Sequence, residues 1–259
     1  MNWFTATILS VVEGITEYLP ISSTGHLILT AHFFGIHEDT YVKSFNIIIQ
    51  SGAIAAVLVL YWKRFFSFSS IEKAKAFYFR IAVAFLPAAV LGLLVKKKID
   101  AILGSDTIVA WALLVGGFVL IGMDWHERGR RSTVSIESIS LRSCVYIGLI
   151  QCLAFIPGVS RAGATMLGGS FLGLSKKEAA EFSFFLAVPT LMGASVVKGA
   201  GLIKDISSDQ ILFLLYGIFL SFVVAILAIK TFLNLLSRVG YSGFGVYRIL
   251  VGTAVLILM

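Results

Sequence analysis

Residues 44–62, 80–95, 107–123, 182–200, 210–230 and 245–259 are apolar almost throughout. A run of about 20 such residues is what an α-helix needs to cross the hydrocarbon core of a bilayer. None of the six runs shows the short alternating segments of a membrane β-barrel. Composition agrees: 14% of residues are charged and mean hydropathy is +0.94, whereas a soluble domain carries about a quarter charged residues. The fold class expected is an all-α integral membrane protein with about six transmembrane helices.

Two more apolar stretches, 4–34 and 143–173, are each interrupted at the centre by Pro, Gly and Ser, residues that end or kink helices. Each half is too short to cross alone, so a pair of re-entrant helix–loop–helix elements is expected. Broken backbone at membrane depth is tolerated where protein or a water-filled cavity satisfies it, so each break should line a cavity. A shift of 137 positions relates Leu19-Pro20 to Ile156-Pro157, Ser23 to Ser160, and Phe45-Asn46 to Phe182-Ser183; Glu13 faces Gln151 one residue out of that register. The matches favour one polytopic domain over 1–259, built from repeats at about 1–123 and 141–259 and joined by a cytoplasmic loop, 124–140. Three spans separate the repeat starts, which gives the copies opposite orientations, an arrangement that brings broken helices together near the midplane.

The net charge is +7, without the basic stripe on a soluble face that nucleic-acid binding requires. One side would carry Lys63, Arg64, Lys73, Lys75, Arg80, Arg128, Arg130, Arg131, Arg142, Lys176, Lys177, Lys230 and Arg238, 13 residues. The other has seven, Lys43, Lys96, Lys97, Lys98, Lys198, Lys204 and Arg248. The positive-inside rule places the first side in the cytoplasm and both termini outside, with the Lys96–Lys98 cluster running against it. Cys144 and Cys152 lie in an apolar stretch without metal-ligand spacing and read as structural thiols. The N-terminus lacks a basic n-region, and Glu13 interrupts the apolar run a signal peptide would need.

The breaks hold the polar chemistry. Glu13 and Glu17 are four apart and share one helix face. Carboxylates in an apolar helix mark function by default, here as ligands for a hard divalent cation or as a general base. Ser23 and His26 are three apart in the following loop, which suits a nucleophile and its acid–base partner. The backbone N–H groups of the Ser22-Ser23-Thr24-Gly25 turn suit a phosphate at a helix N-terminus. In the second break, Arg161 is the one charge between Arg142 and Lys176, and its planar fork matches phosphate or carboxylate. A salt bridge to Glu13 or Glu17 is compatible with that role. Gly158, Ser160 and Thr165 add backbone and hydroxyl groups of the kind that cradle phosphate oxygens. Asn46 and Gln50 are weaker candidates, and Gly168 and Gly169 suit close helix packing.

At these residues the chain resembles a known family. EGITEYLPISSTGHL looks like its acidic ExxxE signature with the following SSTGH. IPGVSRAGAT is similar to the PGxSRSxxT signature of the bacterial undecaprenyl-diphosphatases, the bacitracin-resistance family. The resemblance spans essentially the whole chain; Ala162 departs from the usual serine. It implies removal of the terminal phosphate from undecaprenyl diphosphate, a polyprenyl lipid, which regenerates the carrier for cell-wall synthesis at the bacterial inner membrane. It also implies a divalent cation (Mg2+ or Ca2+). Carried onto this chain, the functional set is Glu13, Glu17, Ser23, His26 and Arg161, with Ser22, Ser160 and Thr165 in support. The charge count opens the site to the outer, periplasmic face. A transporter that flips a phosphorylated lipid remains the alternative, because inverted repeats with broken helices are also a transporter pattern. No selectivity filter favours a channel, and the separate lipid-phosphatase pattern with a PSGH segment is missing from the sequence. Membrane lipids are the expected surroundings, and homo-oligomer formation stays open.

Overall fold

The computed structural model describes residues 1–102, 105–127, 129, 132, 134–202 and 207–258, without the side chains at 96–102, 198, 201 and 202. Of the charges counted above, Arg128, Arg130, Arg131 and Lys204 lie outside the described residues. The side chains of Lys96, Lys97, Lys98 and Lys198 do so too.

The chain runs α1 Trp3–Thr16, α2 Ser23–Phe33, α3 Thr40–Ile48, α4 Gln50–Leu60, α5 Trp62–Phe66, α6 Ile71–Ile102, α7 Asp106–His126, α8 Leu141–Gln151, α9 Arg161–Phe171, α10 Lys176–Leu202 and α11 Ser208–Leu258. Polar caps start several of them where the apolar pattern begins. The Asn2 side chain accepts from Thr5 N–H at 2.9 Å, Asp39 accepts from Tyr41 N–H at 2.8 Å, and Ser140 accepts from Ser143 N–H at 3.1 Å. Among the described residues five helices are long and apolar enough to cross a membrane. The fifth, Ser208–Leu258, contains a non-helical residue, Gly240 (φ 63°, ψ −165°), and covers two of the six expected spans. The all-α membrane class holds. The expected 44–62 span is α3 followed by α4, and the expected loop before residue 80 is already helical from Ile71. Large apolar side chains such as Leu94, Phe118, Leu227 and Leu250 point outward, as lipid-facing positions should.

The stretches expected to break do so. α1 and α2 pack together, as do α8 and α9, with a 3-10 turn at Cys152–Phe155 before the second break. The register between the breaks is 138, one more than the prolines suggest. α2 and α9 are both 11 residues long and begin at Ser23 and Arg161. Their N-caps, Ser22 and Ser160, are the two non-glycine residues with positive φ among the described residues, at 73° and 76°. Each cap oxygen accepts from the N–H three residues on, Gly25 at 3.2 Å and Gly163 at 3.0 Å. Both helices also end alike, with Ile36 N–H on Ala31 O at 2.9 Å and Leu174 N–H on Gly169 O at 3.0 Å. At this spacing Glu13 stands in register with Gln151. A proline need only end a helix, not occupy a fixed turn position, which is why Pro20 and Pro157 mislead by one.

Candidate active site

α1 delivers Glu13, fully buried, and its C-cap is Glu17, also buried. From the second break Arg161 reaches across: Nη2 donates to Glu17 Oε1 at 2.8 Å. Its Nη1 donates to Ser183 O at 2.9 Å and Ser183 Oγ at 3.2 Å, and its guanidinium lies 5.7 Å from the Tyr18 ring centre. The other oxygen of Glu17 accepts from Ser23 Oγ at 2.5 Å. Thr165 Oγ1 donates to Ser183 Oγ at 2.7 Å and stays within reach of Arg161 O at 2.9 Å. One hydrogen-bonded chain thus joins nucleophile candidate, carboxylate and guanidinium across both breaks. It is charge-assisted and shielded from water, conditions in which such contacts are strong.

His26 is not where the sequence reading put it. Its Nδ1 lies 2.8 Å from Ser22 O and its Nε2 2.8 Å from Tyr247 OH, with the two rings stacked. Glu17, not His26, is the group on the Ser23 hydroxyl. The reason is local: α2 starts at Ser23, and the His26 side chain folds back over the first turn onto the cap carbonyl. Thr24 is half-buried in that same turn. Ser22 and Ser160 use their hydroxyls as caps, and Gly158 holds φ 95° at the second break. Ala162 is buried and belongs to the same apolar core as Tyr18 and Met166.

Both carboxyl oxygens of Glu13, and Nε of Arg161, are buried without a hydrogen-bond partner. Buried polar atoms are rarely left so, and Glu13 lies beside Glu17. Among the described residues no cluster of three or more His, Cys, Asp or Glu side chains is placed to hold a metal. One or two carboxylates completed by substrate phosphate oxygens is nevertheless how Mg2+ is usually bound. The orphaned Glu13 carboxylate fits that group; Glu17 already has both oxygens occupied. Asn46 Oδ1 also lacks a protein partner, and Gln50 is buried.

Four residues went unremarked as site components. Tyr18 sits under Arg161 with its OH on Ala53 O at 2.9 Å. Ser183 was noted only as a repeat match, and Tyr247 not at all. Arg248, counted above as an outer-side flanking charge, is in fact buried at 1% exposure. It sits where α7 and α11 cross so closely that a Cβ on Gly117 would lie 2.7 Å from Gly245 O. A lone charge inside the expected 245–259 span was the signal available for it.

The model for the family described as bacitracin resistance protein BacA matches residues 6–254. The chain is similar to the undecaprenyl-diphosphatase of Flavobacterium psychrophilum, 49% identical over all of this chain and 96% of that protein. It is 47% identical to the undecaprenyl-diphosphatase of Bdellovibrio bacteriovorus, over all of this chain and 97% of the relative. That of Wolinella succinogenes is 43% identical over 97% and 96%. With a family match over nearly its whole length and relatives this similar end to end, the chain belongs to the BacA family of bacitracin resistance proteins.

Proposed function

We propose that the protein hydrolyses undecaprenyl diphosphate to undecaprenyl phosphate and inorganic phosphate, recycling the lipid carrier for cell-wall synthesis. The observation that carries this is the chain Ser23–Glu17–Arg161, which joins a hydroxyl, a base and a phosphate-binding fork from two separate breaks. Ser23 Oγ attacks the terminal phosphorus while Glu17 Oε2 takes its proton. The bond from that phosphorus to the bridging oxygen breaks, and undecaprenyl phosphate leaves. Glu17 gives that proton to the departing oxygen, then takes one from the water that attacks the phosphoserine and returns it to Ser23 Oγ as inorganic phosphate leaves. Arg161 turns from Glu17 toward the transferring phosphoryl group, where positioning and charge stabilisation account for most of catalysis. Glu13, whose oxygens have no protein partner, would hold a divalent cation, which when bound supplies further neutralisation of phosphate charge. The lipid tail lies along the apolar helix faces, and the site opens to the periplasmic side of the inner membrane.

The test is phosphate release by purified protein in detergent, with and without a chelator, comparing wild type with Glu17→Gln and Arg161→Ala. Cation-dependent release that both substitutions abolish is expected. No release by folded wild type with cation present would sink this function and bring lipid transport forward.

A further inference from the structure

A guanidinium carries five N–H groups in a fixed planar fork. In Arg248 every one of them meets a backbone carbonyl. Nε donates to Leu113 O at 3.3 Å; Nη1 donates to Pro20 O at 3.1 Å and Val159 O at 2.9 Å; Nη2 donates to Ala112 O at 2.9 Å and Gly158 O at 2.8 Å. No donor is left over for a substrate, and none goes to a carboxylate. A charge placed this deep in a membrane span is expensive and by default functional. Arg248 therefore works through the backbone it holds.

The acceptors show what that is. Pro20 belongs to the first break, Gly158 and Val159 to the second, and Ala112 and Leu113 to α7. In a trans peptide the carbonyl of one residue and the N–H of the next point to opposite sides. Drawing the carbonyls of Pro20 and Gly158 onto the guanidinium turns the N–H groups of Ile21 and Val159 away from it. Directly after these peptides come the positive-φ serines that open α2 and α9. The first N–H groups of those helices have no acceptor within their own helix. The first turn of α2 also lies against the second break, since a Cβ on Gly25 would lie 3.5 Å from Gly158 Cα. Ser23 is the first residue of α2 and Arg161 the first of α9.

We propose that Arg248 is a positioning residue for the reaction: bonded to Pro20 on one side and to Gly158 and Val159 on the other, it fixes Ser23 and Arg161 at the separation that phosphoryl transfer needs. The proposal rests on the phosphatase function above.

Two variants of the full-length protein test it. In Gly116→Ala the new Cβ would lie 2.6 Å from Arg248 Cζ and closer still to Nη2. The free end of a flexible side chain has to move, while α7 gains a better helix former. Arg248→Lys keeps the charge but has three donors in place of five. Phosphate release from undecaprenyl diphosphate is measured over ranges of substrate and orthovanadate, whose inhibition constant reports how well the site fits a transition-state geometry. In both variants kcat should fall about tenfold or more, the vanadate constant should rise by a similar factor, and KM should move by less than about threefold. A variant that is merely less well folded loses kcat in proportion to its inactive fraction and keeps the wild-type vanadate constant. That result overturns the proposal, as does wild-type kcat in both variants. Wild type that releases no phosphate overturns the phosphatase function, and this proposal with it.

Discussion

Ser23 has its hydroxyl hydrogen on Glu17, and Glu17 has its second oxygen on Arg161. Losses along such a chain should not add, because each member is useless without the next. Ser23→Ala is expected to lower phosphate release about a thousandfold, whereas His26→Ala should cost about tenfold or less, since His26 touches Ser22 and Tyr247 instead. A double variant, Glu17→Gln with Arg161→Ala, should be no slower than the worse single one; a further large loss would break the chain apart. The parked ion pair has its own kinetic signature. Inorganic phosphate must displace Glu17 from the fork, so it should inhibit wild type weakly and Glu17→Gln several times more strongly, as read in a binding competition. The acids and Arg161 were legible in the sequence because charge is costly in apolar runs. The partner of Ser23 was not: nearness in the chain favoured His26, while the contact is made with Glu17 six residues back. Arg248 was hidden because an arginine close to a span end reads as a flank reaching for the headgroups.

Among the elements, α11 departs furthest from expectation. Residues 231–244 read as a connector, yet the helix persists until Gly240. Its polar residues Lys230, Asn234 and Arg238 fall four apart on one exposed face, while Phe232 and Leu236 are buried on the other. A helix with one wet face is hard to tell from a loop when only the mean polarity is counted. The actual break is at Gly240, whose positive φ lets the chain turn beside Asp124. That carboxylate accepts from Ser242 Oγ at 2.8 Å and pairs with Lys176. Gly240→Ala would set a Cβ 2.8 Å from Asp124 Oδ1 in a backbone region side chains avoid. It should lower stability by about 1–3 kcal/mol, visible as a lower Tm in detergent; an unchanged Tm would mean the break relaxes freely. The breaks themselves were legible from Pro, Gly and Ser, but not the positive φ at Ser22 and Ser160, which only the assembled turns impose.

Over the whole molecule, the loops gather at two ends. Arg64 pairs with Glu137 at 2.5 Å, Arg80 donates to Ile139 O at 2.9 Å, and Lys176 meets Asp124, so the residues counted as cytoplasmic meet one another. At the opposite end the N-terminal amine lies 4.0 Å from Asp39, Tyr41 OH donates to Gln210 O at 2.5 Å, and His32 meets Asp106 at 2.6 Å. Single cysteines in a chain freed of Cys144 and Cys152 should report the sidedness. An impermeant maleimide on intact cells is expected to label Glu38→Cys and Asp209→Cys, and to reach Ser67→Cys and Ser138→Cys only after permeabilisation; the reverse pattern would invert the orientation. The place of Arg248 in the chain matters in time as well as in space. Translation delivers Glu17, Ser23 and Arg161 to the membrane well before the side chain that ties their two turns together. By the proposal above, a chain still being made, or one cut short before its last span, holds Glu17, Ser23 and Arg161 without the tie between their turns, so nascent protein should turn over lipid more slowly than the fully inserted chain.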